Sequence, residues 1–260
     1  SYGEPDMSAI RVRSTVAAVA VVLCLLCGLA QGATLFVKAD ASGVNDGTSW
    51  TDAFDELQSA LAVAVSGDQI WVAAGTYKPD YDVNTGTHTL SVSAAFQLKN
   101  DVSVHGGFAG NEDPATFDLS TRDFAANETI LSGDLLGDDE PDGVNYSDNS
   151  MSVVLGSGTS NTALLSGFTI SHGGRGVYNS AGSPTVVDCI IGSNHRFEDF
   201  GAGMSNYSGS CPVVTRCRFT DNRVNTYPDS LNTGGGGMAN LYSSNPVVTD
   251  CVFTNNVARY

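Results

Sequence analysis

A repeat in the last third of the chain constrains the fold more than any other feature of the sequence. In each copy a proline is followed by a cysteine five residues later and by an asparagine five residues after the cysteine. The cysteines recur after 28 and then 34 residues, a period typical of solenoids. The copies align without gaps as PTVVDCIIGSN from Pro184, PVVTRCRFTDN from Pro212 and PVVTDCVFTNN from Pro246.

The alternation of side chains along a strand predicts which residues of each repeat face the core. In the first copy it places Val187, Cys189 and Ile191 on the inward face and Asp188 on the outward face. We therefore expect the cysteines to point inward. The matching inward residues are Thr215, Cys217 and Phe219, then Thr249, Cys251 and Phe253, and the matching outward residues are Arg216 and Asp250.

A single repeat has no partner for its apolar face, so it gains stability only by stacking on its neighbours, about 4.8 Å apart. The pattern predicts an all-β fold, a right-handed parallel β-helix, in which Asn194, Asn222 and Asn256 stack as an amide ladder. The missing leucine pattern excludes leucine-rich repeats, and the short period excludes propellers. An irregular β-sandwich is the alternative. Three glycines from the segments that precede the copies are expected at tight corners: Gly176, Gly203 and Gly237.

The upstream half fits the same architecture less regularly. Its one good helical pattern covers residues 52–65, with Thr51 or Asp52 as N-cap and an end near Gly67. A short amphipathic helix at this position would cover the exposed apolar end of the first coil. Apolar strands are predicted at residues 69–73, 102–105, 129–131, 151–155 and 163–170.

The N-terminal segment reads as a secretory signal peptide. Arg11 and Arg13 follow the expected start at Met7 and precede an apolar run over 16–29, and small residues precede a cut after Gly32. A membrane helix is the alternative, but fourteen residues rise only about 21 Å, short of the hydrocarbon core. No transmembrane span is then expected after removal of the signal.

Three segments are therefore predicted. Residues 1–32 comprise upstream residues and the signal peptide, residues 33–68 the first strand and capping helix, and residues 69–260 the β-helix coils. The sequence stops four residues after Asn256 without a pattern that would cap the last coil. We expect the chain to be part of a longer protein.

The charge balance excludes one class of partner. The chain has 28 acidic and 12 basic residues and a formal net charge of −16, which disfavours binding to nucleic acid or to an anionic membrane. The 29 glycines are in keeping with many short strands joined by tight turns.

Cysteine usage points to packing rather than to cross-linking. Four cysteines lie beyond the signal peptide, too few for a disulfide scaffold in a chain of this length. We expect Cys189, Cys217 and Cys251 to be free, buried thiols, whereas Cys211 lies outside their column and is the candidate for reactivity.

The sequence resembles a known family in several motifs. The opening from Leu35, LFVKADASGVNDGTSWTDAFDELQSALAVAVSGDQIWVAAGTYKP, and the repeats are similar to secreted bacterial pectate-lyase-like and polymorphic outer-membrane-protein-like β-helix proteins. The resemblance covers residues 33–260 and implies a pectin-lyase-like solenoid. Such solenoids carry lyases, hydrolases and adhesins, so the resemblance does not decide the activity.

An acidic loop is the best candidate for a metal site. Oxygen ligands at Asp138, Glu140 and Asp142, followed by the turn residue Gly143, suit a hard cation such as Ca²⁺. The alternative is a solvated acidic loop. A pectate-lyase-type eliminase would need such carboxylates with a Lys or Arg base beside them. The motifs of the polygalacturonase type, Asn-Thr-Asp and Gly-His-Gly, are absent from the sequence.

Loops that project between coils form a candidate ligand-binding rim. Aromatic faces beside planar hydrogen-bonding groups suit sugars, and arginines suit carboxylated sugars. Ordinary solvated loops are the alternative. The rim residues are His172, Arg175, Arg196, Phe197, Glu198, Asp199, Arg223, Tyr227 and Asp229.

These features favour an exported, extracellular or cell-surface module for adhesion or carbohydrate binding, with a polysaccharide or cell-surface glycan as partner. No catalytic constellation is evident, so a secreted polysaccharide lyase or glycoside hydrolase is the alternative. If the chain is an enzyme, a Ca²⁺-dependent polysaccharide lyase is the expected type. A structural spacer that binds no glycan is a third possibility.

Overall fold

The computed structural model describes residues 32–140, 143–197, 200–225 and 234–259. The predicted signal peptide lies outside these residues except for Gly32. Within the described ranges, no helix is long and apolar enough to cross a membrane.

One sheet runs along the whole solenoid. Its seven strands are all parallel, and each coil contributes one of them in register with the next. The strands, in spatial order, are β1 (Thr34–Val37), β2 (Gln69–Ala73), β7 (Ser103–Phe108), β10 (Leu164–Ser166), β13 (Thr185–Val187), β17 (Val213–Thr215) and β21 (Val247–Thr249).

Three further parallel sheets complete the coils, and an antiparallel hairpin lies outside them. The six-stranded sheet contains β3 (Gly75–Tyr77), β8 (Thr129–Ser132), β11 (Thr169–Ser171), β14 (Ile190–Gly192), β18 (Arg218–Thr220) and β22 (Val252–Thr254). The five-stranded sheet contains β6 (Phe96–Gln97), β9 (Val154–Leu155), β12 (Val177–Ser180), β16 (Met204–Tyr207) and β20 (Met238–Asn240). The three-stranded sheet contains β15 (His195–Phe197), β19 (Arg223–Asn225) and β23 (Val257–Ala258), and the hairpin is β4 (Tyr81–Asp82) with β5 (Thr87–His88).

Successive strands of one coil belong to different sheets, and each strand pairs with its equivalent in the next coil. In the first repeat the chain passes from β13 to β14 to β15 and then to β16, one strand in each sheet. This topology confirms the predicted parallel β-helix.

The corner between β13 and β14 corrects the predicted inward set. Asp188 has a left-handed φ of 55°, so the alternation of side chains is interrupted there. Val186, rather than Val187, is fully buried, and Cys189 and Ile191 are buried as expected. Arg216 and Asp250 repeat the left-handed corner in the next coils, so Thr215 and Thr249 face outward, where their hydroxyls lie 2.9 Å apart.

The amide ladder is confirmed, and two of the three cysteines expected in the core are buried. Cys189 and Cys217 are buried, Cys251 is half-buried, and Cys211 is exposed; all four are free thiols. Each ladder amide donates to the next, from Asn194 Nδ2 to Asn222 Oδ1 over 3.0 Å and from Asn222 Nδ2 to Asn256 Oδ1 over 2.9 Å.

A second amide ladder stands on the five-stranded sheet. Asn179 Nδ2 donates to Asn206 Oδ1 over 2.8 Å, and Asn206 Nδ2 donates to Asn240 Oδ1 over 2.7 Å. The sequence analysis did not identify this ladder, although an asparagine ends each of the glycine segments GRGVYN, GAGMSN and GGGMAN.

The glycines expected at corners have another role. Gly176, Gly203 and Gly237 have no left-handed φ and precede strands of the five-stranded sheet. A Cβ on Gly203 would lie 2.3 Å from the carbonyl oxygen of Gly237 in the next coil. Close approach of stacked coils, and not a turn, therefore requires glycine at these positions.

The predicted helix is correct in place but too long. Helix α1 covers Leu57–Val63, and its N-cap residue Glu56 makes no side-chain cap hydrogen bond. Residues 52–56 are not helical because Phe54 lies along β1. Its backbone donates a hydrogen bond to Phe36 of β1 and accepts one from Lys38, the residue that follows β1. The helix buries Leu57, Ala60 and Leu61 in the core near the first strands. In the described part of the chain, the 3₁₀ turns Leu119–Thr121 and Tyr146–Asp148 lie in the loops.

Candidate functional site

The three-stranded sheet forms one wall of a groove, and the amide ladder fixes where its strands begin. Ser193, Asp221 and Asn255 have left-handed φ values of 54°, 56° and 55° immediately before the three ladder asparagines. Each coil therefore turns sharply at the same height, and β15, β19 and β23 emerge in parallel on the same side.

Two adjoining clefts make up the groove, and they share Tyr146 and His195. The larger has a volume of about 230 Å³ and also reaches Arg223 and Asp221. The smaller has a volume of about 140 Å³ and is lined further by Arg196, Phe197, Asn149, Met151 and Gly174.

Aromatic rings meet at the centre of the groove. The His195 ring lies edge-on to Tyr146, with centroids 5.3 Å apart, and tilted against Phe197 at 4.5 Å. His195 Nε2 lies 2.7 Å from Asn225 Nδ2, which donates to it. Burial, with the charge of Arg223, lowers the pKa of His195, so the imidazole is neutral at pH 7 and offers the groove an uncharged aromatic face.

The structure brings part of the predicted rim together. Arg196, Phe197 and Arg223 line the groove. Arg175 instead lies over the Tyr178 ring, with Cζ 4.9 Å from its centroid. His172 Nδ1 lies 2.9 Å from Ser171 Oγ, and the histidine is close enough to the acidic loop to influence Asp139 electrostatically. Glu198, Asp199, Tyr227 and Asp229 lie outside the described residues.

Four aspartates converge beside the groove. One carboxylate oxygen from each of Asp134, Asp138, Asp139 and Asp148 lies within 4.8 Å of the others. Asp134 is buried, and its carboxylate accepts hydrogen bonds from the backbone N–H groups of residues 137–139. Asp148 accepts from the N–H of Leu136 over 2.8 Å. The loop is thus wrapped around two of its own carboxylates.

Two buried oxygen atoms at this cluster have no hydrogen-bond partner among the described residues. Asp139 Oδ2 accepts from Asn149 Nδ2 over 2.8 Å, whereas Asp139 Oδ1 and Asn149 Oδ1 are buried atoms with no hydrogen-bond partner in the described ranges. Burial, with the charges of Asp134 and Asp148, raises the pKa of Asp139. Oxygen-only donors with excess negative charge fit a hard cation such as Ca²⁺.

Of the predicted metal ligands that the structure describes, Asp138 belongs to this cluster and Glu140 does not. The backbone of Glu140 pairs with Val144, and its carboxylate does not belong to the converging group. Asp142 lies outside the described residues. Asp134 comes before the expected ligand triplet and Asp148 after it, and the loop, rather than a short linear spacing, brings them together.

The acidic cluster and the groove form one continuous surface. Asn149 both lines the groove and donates to Asp139, and Tyr146 shares its 3₁₀ turn with Asp148. Lys78 reaches the same loop, where its Nζ donates to the carbonyl oxygen of Leu135 over 3.0 Å. Tyr146, His195 and Asn149 were not among the site residues predicted from the sequence. The only sign of them in the sequence was that they lie next to loops predicted to belong to the site.

Comparison with known proteins identifies the architecture. Neither a protein-family model nor a curated protein sequence matches the chain. Among solved structures, the crystal structure of pectate lyase Pel9A superposes with a TM-score of 0.51 at 13% identity, covering 86% of this chain and 48% of that one. The fold is a pectate-lyase-like parallel β-helix. A rhamnogalacturonan lyase is similar at 16% identity, with a TM-score of 0.31, covering 88% of this chain and 52% of that one. The chain thus spans about half the length of each of these structures.

Proposed function

We propose that the chain is an exported module that binds carbohydrate outside the cell or at its surface, with the groove beside the three-stranded sheet as its contact surface. One observation carries this proposal: three aromatic rings and two arginines line the same groove. They are Tyr146, His195, Phe197, Arg196 and Arg223. Aromatic faces pack on sugar rings, and guanidinium groups bind carboxylates or hydroxyls in their plane.

The acidic cluster gives this surface a place for a cation. Asp134, Asp138, Asp139 and Asp148 would hold Ca²⁺. Asn149, which donates to Asp139, offers an uncharged buried oxygen, Oδ1, that has no partner among the described residues. Bound Ca²⁺ would supply positive charge beside the groove. Since the chain carries a net charge of −16, an acidic polysaccharide would bind more tightly when this cluster is neutralised.

A polysaccharide lyase is the second candidate, and Lys78 favours it. Its Nζ is held at the acidic loop by the Leu135 carbonyl oxygen, so a basic side chain stands beside the carboxylate cluster. An eliminase needs this combination, a cation on the sugar carboxylate and a base for the adjacent proton. The solved structure with the same fold, pectate lyase Pel9A, is that of a lyase.

Binding of immobilised acidic and neutral polysaccharides, with and without Ca²⁺, tests the binding proposal. Arg223→Gln should weaken binding of an acidic glycan about tenfold, since it removes a charged hydrogen-bond donor. Arg218→Gln is the matched control, because Arg218 is an exposed arginine of the six-stranded sheet and lies outside the groove. Equal losses in the two variants, or no glycan binding at all, would contradict the proposal.

The same samples test for catalysis. Release of unsaturated sugar from an acidic polysaccharide, dependent on Ca²⁺ and lost in Lys78→Met, would establish the lyase and replace the binding proposal. Binding without release of unsaturated sugar would exclude it for that polysaccharide.

A further inference from the structure

A separate cleft lies on the outward face of the seven-stranded sheet, and none of its lining residues belongs to the three-stranded sheet. Its volume is about 500 Å³, within the range of small-molecule sites. We call it the arginine cleft. The residues that define it are His105, Arg122, Phe124, Ser166, Asp188 and Arg216.

Glycine at one corner makes room for this cleft. Because Ser166 pairs with Val187 and Val187 with Thr215, Gly167 occupies the corner position that Asp188 and Arg216 take in the next coils. Gly167 has a φ of 83°, and a Cβ there would lie 2.6 Å from the Phe124 ring and 3.0 Å from Arg122 Nη1. The loop that carries Arg122 and Phe124 therefore folds back into space that a side chain would otherwise fill.

Uncharged acceptors hold the guanidinium of Arg122 in place. Nε donates to the Leu119 carbonyl over 2.9 Å, Nη1 to the carbonyls of Gly106 and Ser166 over 2.8 Å and 3.3 Å, and Nη2 to Ser166 Oγ over 2.9 Å. The guanidinium also lies over the Phe124 ring at 5.0 Å. Four of its five N–H groups are thus used, and no carboxylate of the described residues forms an ion pair with it. The group is fixed in position and its charge is not neutralised by direct contact.

The cleft is positively charged in a strongly acidic molecule. Arg216 binds Asp188 through two hydrogen bonds, Nε to Oδ1 over 2.7 Å and Nη2 to Oδ2 over 2.9 Å. With Arg122, the cleft has two guanidinium groups and one carboxylate, whereas the chain as a whole has a net charge of −16. The lining residues therefore carry one positive charge in excess, although the exposed Asp250 at the next corner also interacts with Arg216. This local excess favours an anion over a cation at this position.

A buried histidine with an unpaired ring nitrogen is among the residues that line the cleft. His105 is only 6% exposed, and its Nδ1 has no hydrogen-bond partner in the part of the chain that the structure describes. Buried polar atoms without partners are rare in folded proteins, and a bound water or ion is one explanation for such an atom. The imidazole is neutral at pH 7, so it adds a hydrogen-bonding group without adding charge.

We propose that the arginine cleft binds a small carboxylate-bearing ligand, with its carboxylate near Arg122 and Arg216 and its carbon skeleton against Phe124 and Leu119. The two guanidinium groups select the acid, the neutral His105 and the Ser120 hydroxyl offer further hydrogen bonds, and the apolar side chains accept a ring. This site is separate from the groove and does not depend on the function proposed for it.

Titration with glucuronate, followed by calorimetry and by the ring signals of His105 in NMR spectra, tests the proposal. Glucuronate should bind and shift the His105 signals, whereas glucose, its uncharged counterpart, should bind at least tenfold more weakly. Inorganic sulfate is included to separate carboxylate recognition from general anion binding. Sulfate binding as tight as that of glucuronate, or equal binding of glucose, would overturn the proposal.

Variants with opposite expected effects keep the test independent of folding. Asp188→Asn should strengthen glucuronate binding severalfold because it removes the competing carboxylate, and asparagine tolerates the left-handed φ at this corner. Arg216→Gln should weaken binding about tenfold, whereas the control Arg218→Gln, at an exposed position outside the cleft, should leave it unchanged. Arg122→Gln should abolish binding, and unchanged affinity in a folded Arg122→Gln or Arg216→Gln chain would refute the site.

Discussion

The ladder of Asn194, Asn222 and Asn256 satisfies buried backbone groups where the coils turn. Asn194 and Asn222 are fully buried. The side-chain amide of each donates to the next asparagine of the ladder and to a backbone carbonyl of the preceding coil. Asn222 Oδ1 also accepts from the backbone N–H of Asn194 over 3.3 Å. An amide is required here because it donates and accepts at once.

Replacing the central amide should therefore be costly. Asn222→Ala leaves the backbone N–H of Asn194 and the carbonyl of Ile191 without these partners, and we expect a loss of at least about 2 kcal/mol in the free energy of unfolding. Urea denaturation measures it. Asn240→Ala, at the exposed end of the second ladder, is the control and should cost less than about 1 kcal/mol. Similar losses in both variants would show that the ladder position has no special role.

The buried histidine of the arginine cleft should make stability depend on pH. Burial, with the charge of Arg122, lowers the pKa of His105 from 6.5 to about 4. Between these values the unfolded chain binds a proton at His105 that the folded chain does not, so stability is present above pH 6.5 and is lost as the pH falls towards 4. The contribution is about 3 kcal/mol at most.

Comparison of the parent chain with His105→Gln isolates this effect, because both chains share every other titrating group. Urea denaturation at several values between pH 7 and pH 4 should show a smaller loss of stability in His105→Gln. Parallel curves for the two chains would contradict the assignment.

At the scale of elements, contact between coils decides where glycine is needed. We expect Gly203→Ala to destabilise the fold by more than about 3 kcal/mol, because its Cβ would lie 2.3 Å from a backbone oxygen that moves only with the next coil. Gly209→Ala is the matched control. Gly209 has a φ of 76° but no atom within 4 Å of the added Cβ, so only backbone strain of about 1–2 kcal/mol is expected. Thermal unfolding of both variants tests the order, and a larger loss in Gly209→Ala would contradict it.

The elements also show how far the sequence could predict the fold. The spacing of proline, cysteine and asparagine predicted the solenoid, the inward cysteines and one amide ladder, because these depend on a period that the sequence displays directly. Alternation failed at Asp188, since a left-handed residue without glycine leaves no pattern in the sequence. The length of α1 was overestimated because Phe54 pairs with β1, a contact between distant parts of the chain.

The candidate site was predictable only in part, for the same physical reason. Arg196, Phe197 and Arg223 follow the ladder asparagines, so the repeat itself placed them on one side. Tyr146 and Asp148 belong to an insertion without a repeat, and only the folded loop brings them to the groove and to Asp134. Residues of this kind carry no spacing signal from which a contact could be inferred.

At the scale of the whole molecule, excess negative charge is in part concentrated at one place. The chain has a net charge of −16, and four carboxylates converge within 4.8 Å beside the groove. Like charges at such separations oppose folding unless a cation or protons neutralise them. Ca²⁺ that binds the folded cluster and not the unfolded chain must therefore stabilise the molecule.

We expect Ca²⁺ at a hundred times its dissociation constant to raise the free energy of unfolding by about 2.7 kcal/mol. Thermal unfolding with CaCl₂, compared with NaCl at equal ionic strength, separates specific binding from screening of the overall charge. Asp139→Asn should lose most of the Ca²⁺ effect because it removes a carboxylate at the centre of the cluster. Asp250→Asn removes the same charge at an exposed left-handed corner, outside the cluster, and should keep the full effect. If NaCl stabilises the chain as much as CaCl₂, or if both variants respond alike, the charge acts only as a diffuse field and the cluster is a solvated loop.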